Sequence, residues 1–190
     1  MKIDPIDIIL KFYPDDTPQR QMLLKHSRQV RDKALEILRS LPPENAENGE
    51  LDPDTVAAGA MLHDIGICRC YAPGILCNGP EPYLAHGIIG ARMIRQLDPE
   101  LEVFARICER HTGSGLTADE IRCQNLPIPE QDYLPETKCE KLICLADKFF
   151  SKSGDMKEKS ISHIRKSMEK FGAGPLKRFD DLMKEFNLIR

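Results

Sequence analysis

Five histidines, at positions 26, 63, 86, 111 and 163, and two aspartates in apolar surroundings, Asp64 and Asp147, are the residues best suited to do chemistry. Asp147 closes the run Leu142-Ile143-Cys144-Leu145-Ala146. An ionised carboxylate in such a setting is costly unless it is paired or holds a cation. Lys148 is its neighbour, but consecutive helical residues point about 100° apart and do not face each other. The expectation is therefore that something other than Lys148 compensates Asp147, and a divalent cation shared with neutral imidazoles would do so. A mixed set of nitrogen and oxygen ligands suits Mn, Fe, Co, Ni or Zn rather than Ca.

Each residue alone also has a plainer reading. A single histidine on an apolar face is more often a hydrogen-bonded core residue. His163, in the charged tail, reads as a surface residue. Asp64 could be a loop residue ending its helix, and Asp147 could pair with a distant Lys or Arg. The joint pattern is what points to a metal, because His26, His63, His86 and His111 all fall on, or at the ends of, helices assigned to the core.

Those helices follow from period and capping. Thr17-Pro18 starts a helix, with a hydroxyl cap and proline in the first turn. Leu23, Val30, Ala34, Ile37 and Leu38 then form one stripe, until Pro42-Pro43 stops it. Pro42–Asp52 reads as a loop, and Asp52-Pro53 opens a second helix that runs to Gly66. Arg69–Pro82 is too irregular for a helix and, at its length, reads as a functional loop. Helices follow over Ala85–Leu97, Pro99–Arg110 and Thr117–Arg122, the last with a Thr117/Glu120 capping box. Asn125–Thr137 is extended by its prolines, and Lys138–Phe150 is a central helix. Lys157–Phe171 and Pro175–Leu188 are the last helices, joined by Gly172-Ala173-Gly174. No alternating strand pattern stands out. The fold class is all-α in a single domain of 190 residues, with a core at about 17–155 and C-terminal helices over 157–188 packed on it.

Composition narrows the partners. Lys plus Arg is 27 against 30 acids, a net charge of −3, with no block of like charges. That argues against a nucleic-acid duplex or a membrane surface as partner. No apolar run approaches a membrane span, and Asp4 and Asp7 within Met1–Leu10 are wrong for a signal peptide. A cytoplasmic location is expected. The seven cysteines include no CxxC, so a zinc knuckle at Cys68, Cys70 and Cys77 is disfavoured against reduced, structural thiols.

The order His26, His63-Asp64, Asp147, with Leu62-His63-Asp64-Ile65-Gly66 at its centre, resembles the HD superfamily of metal-dependent phosphohydrolases. His86 in Ala85-His86-Gly87 and His111 in Arg110-His111-Thr112-Gly113 look like the extra histidines of its binuclear branch. The stretches Arg110–Thr117, Tyr133–Thr137 and Glu140–Asp147 are similar to an uncharacterised HDIG-type subfamily. The resemblance implies an all-α bundle with its ligands converging on a central cavity. It implies that His26, His63, Asp64 and Asp147 hold one ion and His86 and His111 a second, with Asp64 bridging. It further implies hydrolysis of a nucleotide or other small phosphate ester by a metal-bound hydroxide, since paired cations acidify a shared water and neutralise phosphoryl charge. Arg69, Arg110 and Lys148 are candidates to clamp phosphate oxygens, and each reads equally as solvation of a helix end. The Thr112–Gly115 loop could present backbone N–H groups to a phosphate, or could simply end a helix. Tyr71 or Tyr83 could lie against a base.

Departures from better-known branches bear on the substrate. Ile67 and Cys68 stand where alarmone hydrolases carry two acids. Ile67 also replaces the lysine of the cyclic-dinucleotide branch and the glutamate of the 5′-nucleotidase branch. Two alternatives remain within the resemblance: a mixed-valence di-iron oxygenase, whose usual lysine near the HD pair is also missing at Ile67, and a non-catalytic, metal-stabilised helical regulatory module. A second copy of the chain, as a homodimer, stands beside a small phosphorylated substrate among the candidate partners.

Overall fold

The computed structural model describes residues 3–42 and 51–189, so the loop expected at Pro42–Asp52 lies, apart from its ends, outside the described residues. The chain is predominantly helical. Helix α1 spans Pro5–Phe12, capped by the Asp4 carboxylate accepting from the Ile6 N–H. Asp4-Pro5 is the same kind of start signal as Thr17-Pro18, in a segment whose acids speak first against a leader. Helix α2 spans Pro18–Ser40 with the Thr17 cap in place. Its buried stripe includes His26 and Ser27 beside Leu23 and Val30.

Helix α3, Pro53–Leu62, is capped by Asp52 and is buried over most of its length. It ends at Leu62 rather than running on to Gly66, and a 3-10 turn takes over at Ile65–Arg69. The reason lies just past α1: the Tyr13 hydroxyl donates to the Ile65 carbonyl at 2.8 Å and accepts from the Cys68 N–H at 3.0 Å. That clamp draws the chain out of the α-helical path and leaves His63 and Asp64 at the junction.

The segment expected to be wholly irregular contains a small sheet. Strands β1 (Cys70–Ala72), β2 (Cys77–Asn78) and β3 (Glu81–Pro82) lie in the order β2-β1-β3. β2 is antiparallel to β1 with Tyr71 opposite Asn78, and β3 is parallel to it with Tyr71 opposite Pro82. Strands of two or three residues show no alternation, so periodicity could not reveal them.

Helix α4, His86–Leu97, begins after a 3-10 turn at Tyr83–Ala85. Helix α5, Glu102–Arg110, follows another at Pro99–Leu101 and packs along α4. Helix α6, Ala118–Cys123, has the expected capping box. Helix α7, Lys138–Lys148, has a second one, Thr137 with Glu140. The last two helices, α8 (Ile161–Glu169) and α9 (Ala173–Glu185), are shorter than expected, and the glycine link is partly taken into α9. Both pack on the body, with Ile164, Met168, Phe179 and Met183 in the main core.

Two buried ties fix the walls of that core. Glu140, almost fully buried, accepts from Arg106 Nε of α5 at 2.7 Å and from the Glu136 N–H at 2.8 Å. It therefore locks the start of α7 against α5, and Asp147 lies seven residues, about two turns, further along α7 on the same face. Gly66 approaches α4 so closely that a Cβ there would sit 2.2 Å from the His86 carbonyl oxygen.

Candidate metal centre

The four core histidines and both aspartates converge. His26 projects from the middle of α2, His63 and Asp64 from the end of α3, His86 from the first residue of α4, His111 from the end of α5 and Asp147 from the last turn of α7. All six are buried. They form two groups able to hold a cation, His26, His63, Asp64 and Asp147 in one and Asp64, His86 and His111 in the other, each with its ligand atoms within 4.8 Å of one another.

Asp64 divides its oxygens between the groups. Oδ2 lies 3.2 Å from His26 Nε2 and 3.1 Å from His63 Nε2. Oδ1 lies 3.3 Å from both His86 Nε2 and His111 Nε2. Asp147 Oδ1 completes the first group at 3.0 Å from His26 Nε2 and 3.6 Å from His63 Nε2.

The hydrogen bonds on the far side of the rings determine what this centre presents. His63, His86 and His111 each turn Nδ1 to the carbonyl three residues back, at Ala60, Tyr83 and Cys108, all at 2.7 Å. A carbonyl only accepts, so the proton is assigned to Nδ1 and the neutral ring directs a lone pair inward from Nε2. This arrangement typifies metal-ligating histidines, whose second nitrogen is tied to a carbonyl or carboxylate. Neither Asp64 oxygen, nor His63 Nε2, has a partner of sound hydrogen-bond geometry. Buried acceptors facing buried acceptors require a cation or a proton between them. The donor set fits a divalent metal.

The cluster's electrostatics, in the absence of a metal, express the same demand. Burial works against protonating His63, yet the charges of Asp64 and Asp147 prevail and push its pKa up to about 9. Burial lowers His111 to about 4, with the neighbouring His63 and His86 adding to the effect. Both aspartates are held well below the usual carboxylate range despite burial: Asp64 chiefly by His63 and Lys152, and Asp147 by Lys148 and Lys152.

Lys152 was not anticipated. Its Nζ lies 2.7 Å from Asp64 Oδ2 and 5.9 Å from the centroid of the Tyr83 ring. No pattern marks it, because it lies past the end of α7 in a turn that folds back over the cluster. Lys148 corrects an expectation directly: its Nζ pairs with Asp147 Oδ2 at 2.9 Å. At the last turn of a helix a long side chain can bend back, which the angular argument for adjacent residues overlooks.

The other candidates are placed differently. Arg110 donates to the Leu134 carbonyl at 2.7 Å and pairs with Glu136 at 2.8 Å, strapping α5 to the extended segment. Arg69 is exposed at the end of the 3-10 turn, and neither arginine borders the cavity beside the cluster. In the Thr112–Gly115 loop the Gly115 N–H is engaged by the Thr112 carbonyl, and the Ser114 hydroxyl by Pro175. Tyr83 stacks on His86 at 4.7 Å, whereas Tyr71 points outward. Cys68, Cys70 and Cys77 donate to nearby carbonyls, and burial pushes their thiols up, Cys70 to about 12.

A cavity of about 570 Å³ opens beside Asp147. Lys148, Lys152, Lys159 and His163 border it, with Tyr83 on the facing side and Ala72, Gly74 and Ile75 of the sheet region at its edge. His163, exposed as expected, thus stands at its rim. Lys159 Nζ is held by the carbonyls of Phe150 at 2.8 Å and Lys148 at 3.3 Å, and burial lowers its pKa. No helix among the described residues is long and apolar enough to cross a membrane.

The chain is 31% identical over 166 residues to a tRNA (cytidine(56)-2′-O)-methyltransferase of Picrophilus torridus and 28% identical over 162 residues to that of Thermoplasma volcanium. These alignments cover 86% and 85% of the chain but only 42% and 40% of the two relatives, so the chain spans about two fifths of their length. An uncharacterized protein of Methanocaldococcus jannaschii is 33% identical over 136 residues, 61% of this chain and 72% of that protein. No solved structure matches the chain. Residues 23–151 match the HD domain, a span that begins in α2 just before His26 and ends just after Asp147, and by that match the chain belongs to the HD domain family.

Proposed function

We propose that the protein is a metal-dependent phosphohydrolase acting on a small phosphate ester. The observation that carries this reading is the division of Asp64 between two sets of inward-facing imidazoles, one completed by Asp147, beside a cavity set with lysines. His26, His63, Asp64 and Asp147 would hold one ion, and Asp64, His86 and His111 a second, drawn from Mn, Fe, Co, Ni and Zn. Such ions, when bound, supply a water acidified toward neutrality and positive charge against the phosphoryl oxygens.

The chain's own residues do the rest. The carbonyls of Ala60, Tyr83 and Cys108 fix the ring orientations. Lys148 and Lys152 balance the aspartates and place two ammonium groups at the cavity wall. Lys159, which has no carboxylate in ion-pair contact among the described residues, gives an anionic substrate a cation that is already partly desolvated. Arg69 and Arg110 do not border this cavity, so the reading assigns the phosphate contacts to the lysines. Methyl transfer is a property of the named relatives, more than half of whose length lies outside the match, and a cage of nitrogen and oxygen acceptors suits cations.

The test is elemental analysis of the purified protein, followed by a screen of phosphate esters with each metal. A bound transition metal and ester hydrolysis abolished in His63→Ala, with helical content retained, is the expected result. Oxygen uptake by iron-loaded protein with no hydrolysis of any ester would contradict it, as would a tightly held metal with no turnover of either kind.

A further inference from the structure

The lysine-lined cavity adjoins a second hollow of about 230 Å³, and Gly113, Met168 and Phe171 border both. The two differ in chemistry. The first is set with ammonium groups, whereas the second is walled by Leu84, Leu116, Leu126 and Pro175. Of the polar side chains on its lining, Glu120 pairs with Arg178 at 2.8 Å and the Ser114 hydroxyl donates to the Pro175 carbonyl at 2.8 Å, which leaves Thr112 and Gln124. Phe171, just past the end of α8 where the two hollows meet, is 61% exposed.

A sugar or a nucleobase edge placed in the second hollow would set most of its hydrogen-bonding groups against hydrocarbon, with only the Thr112 and Gln124 side chains to meet them, which is unfavourable. A hydrocarbon group would lose nothing there and would cover Phe171. Resting on the phosphohydrolase reading, we infer that the substrate is a phosphate monoester of an apolar alcohol, its phosphoryl end among Lys148, Lys152 and Lys159 and its hydrocarbon end lying across Phe171 into the second hollow. Water adds to phosphorus and the bond from phosphorus to the alkyl oxygen breaks. The alcohol leaves carrying a proton from the water, and inorganic phosphate remains. Phe171 then sets specificity, and the lining that the two hollows share places the hydrocarbon beside the phosphoryl end of the same molecule.

The experiment compares ethyl, butyl and hexyl phosphate, esters of equal chemistry and rising apolar area, as substrates of the metal-loaded protein. Binding of ethyl- and hexylphosphonate is followed in parallel by calorimetry. Each methylene buried should raise kcat/KM by up to about fourfold, the equivalent of about 0.8 kcal/mol. Phe171→Ala, at an exposed position that does not bear on folding, should flatten the gradient in both measurements, and Phe171→Leu should restore most of it. Hydrolysis without a chain-length gradient overturns the inference and leaves the hydrolase reading standing. Hydrolysis of none of the esters overturns that reading, and the phosphonate gradient then decides the assignment of the hollow by itself. A gradient that survives Phe171→Ala, while the variant changes the sedimentation of the protein with concentration, makes this face a contact between copies and overturns the inference.

Discussion

His86 Nε2 and His111 Nε2 face each other at 3.0 Å, although each ring has its proton drawn to the opposite nitrogen by a carbonyl three residues back. Two lone pairs aimed at one another inside a protein are unfavourable unless a positive charge stands near both. Asp64 Oδ1, 3.3 Å from each, adds a third acceptor to the same spot. In the first group that need is met by a proton on His63 and the ammonium of Lys152, both of which a metal would displace or redirect.

Lys152→Met tests this substitution of one cation for another. Removing one member of a buried ion pair costs about 3–5 kcal/mol, because the remaining charge stays buried. Asp64 is fully buried and Lys152 nearly so. The metal-free variant should lose stability on that scale in thermal or denaturant unfolding, and saturating metal should recover most of the loss. A variant equally destabilised with and without metal would show that Lys152 is only a structural counter-ion.

The pH dependence of the metal-free protein follows from His63 and His111. The pKa of His63 is raised from 6.5 to about 9, so its stabilisation is complete below 6.5 and disappears as pH rises through about 9. A shift of that size is on the order of 3 kcal/mol. His111, lowered to about 4, acts in the opposite sense: below 6.5 the unfolded chain takes up a proton that the folded chain refuses. Unfolding free energy without metal should therefore peak near pH 6.5 and fall on either side. Metal binding at pH 7.5 should release a proton from His63, measurable by calorimetry in buffers of differing ionisation enthalpy, and the release should fade above pH 9.

Gly66→Ala should separate the two groups. The added Cβ would lie 2.2 Å from the His86 carbonyl oxygen and 2.4 Å from the Gly90 nitrogen, backbone atoms that cannot swing aside. Overpacking typically costs about 1–3 kcal/mol, and this contact should fall at or beyond the upper end. Since α4 must recede, His86 moves from Asp64, and metal stoichiometry should drop by one ion per chain even where the fold survives.

Tyr13→Phe removes a hydroxyl that both donates to Ile65 and accepts from Cys68. A loss of about 1–3 kcal/mol in unfolding free energy is expected, since the Cys68 N–H loses its acceptor and the Ile65 carbonyl keeps only the Cys68 thiol at 3.6 Å. The turn after Asp64 should loosen, seen as faster amide exchange at Cys68.

What the sequence revealed and what it concealed divide along physical lines. Caps are local signals, so Thr17-Pro18, Asp52-Pro53 and the Thr117/Glu120 box marked helix starts that the structure places within a residue or two. Asp147 is conspicuous in its apolar run, whereas His26 and His111 stand among polar residues and were legible through the order of ligands that the HD resemblance implies. Lys152 was not, since a lysine in a turn looks solvated until the chain folds back on Asp64. Arg110 shows the converse: its neighbour His111 faces inward, while its guanidinium turns to Leu134 and Glu136. The small sheet is too short to leave a period, and α1, eight residues long, is announced only by Asp4-Pro5.

The most direct measurement is the metal content of the purified protein and of its Asp64→Ala and His111→Ala variants, by elemental analysis after loading with each transition metal. The account predicts two ions per chain in the parent, one in His111→Ala and neither firmly held in Asp64→Ala, with phosphate-ester hydrolysis lost alongside. A parent protein that takes up no transition metal, or an Asp64→Ala variant that keeps both ions, would contradict it.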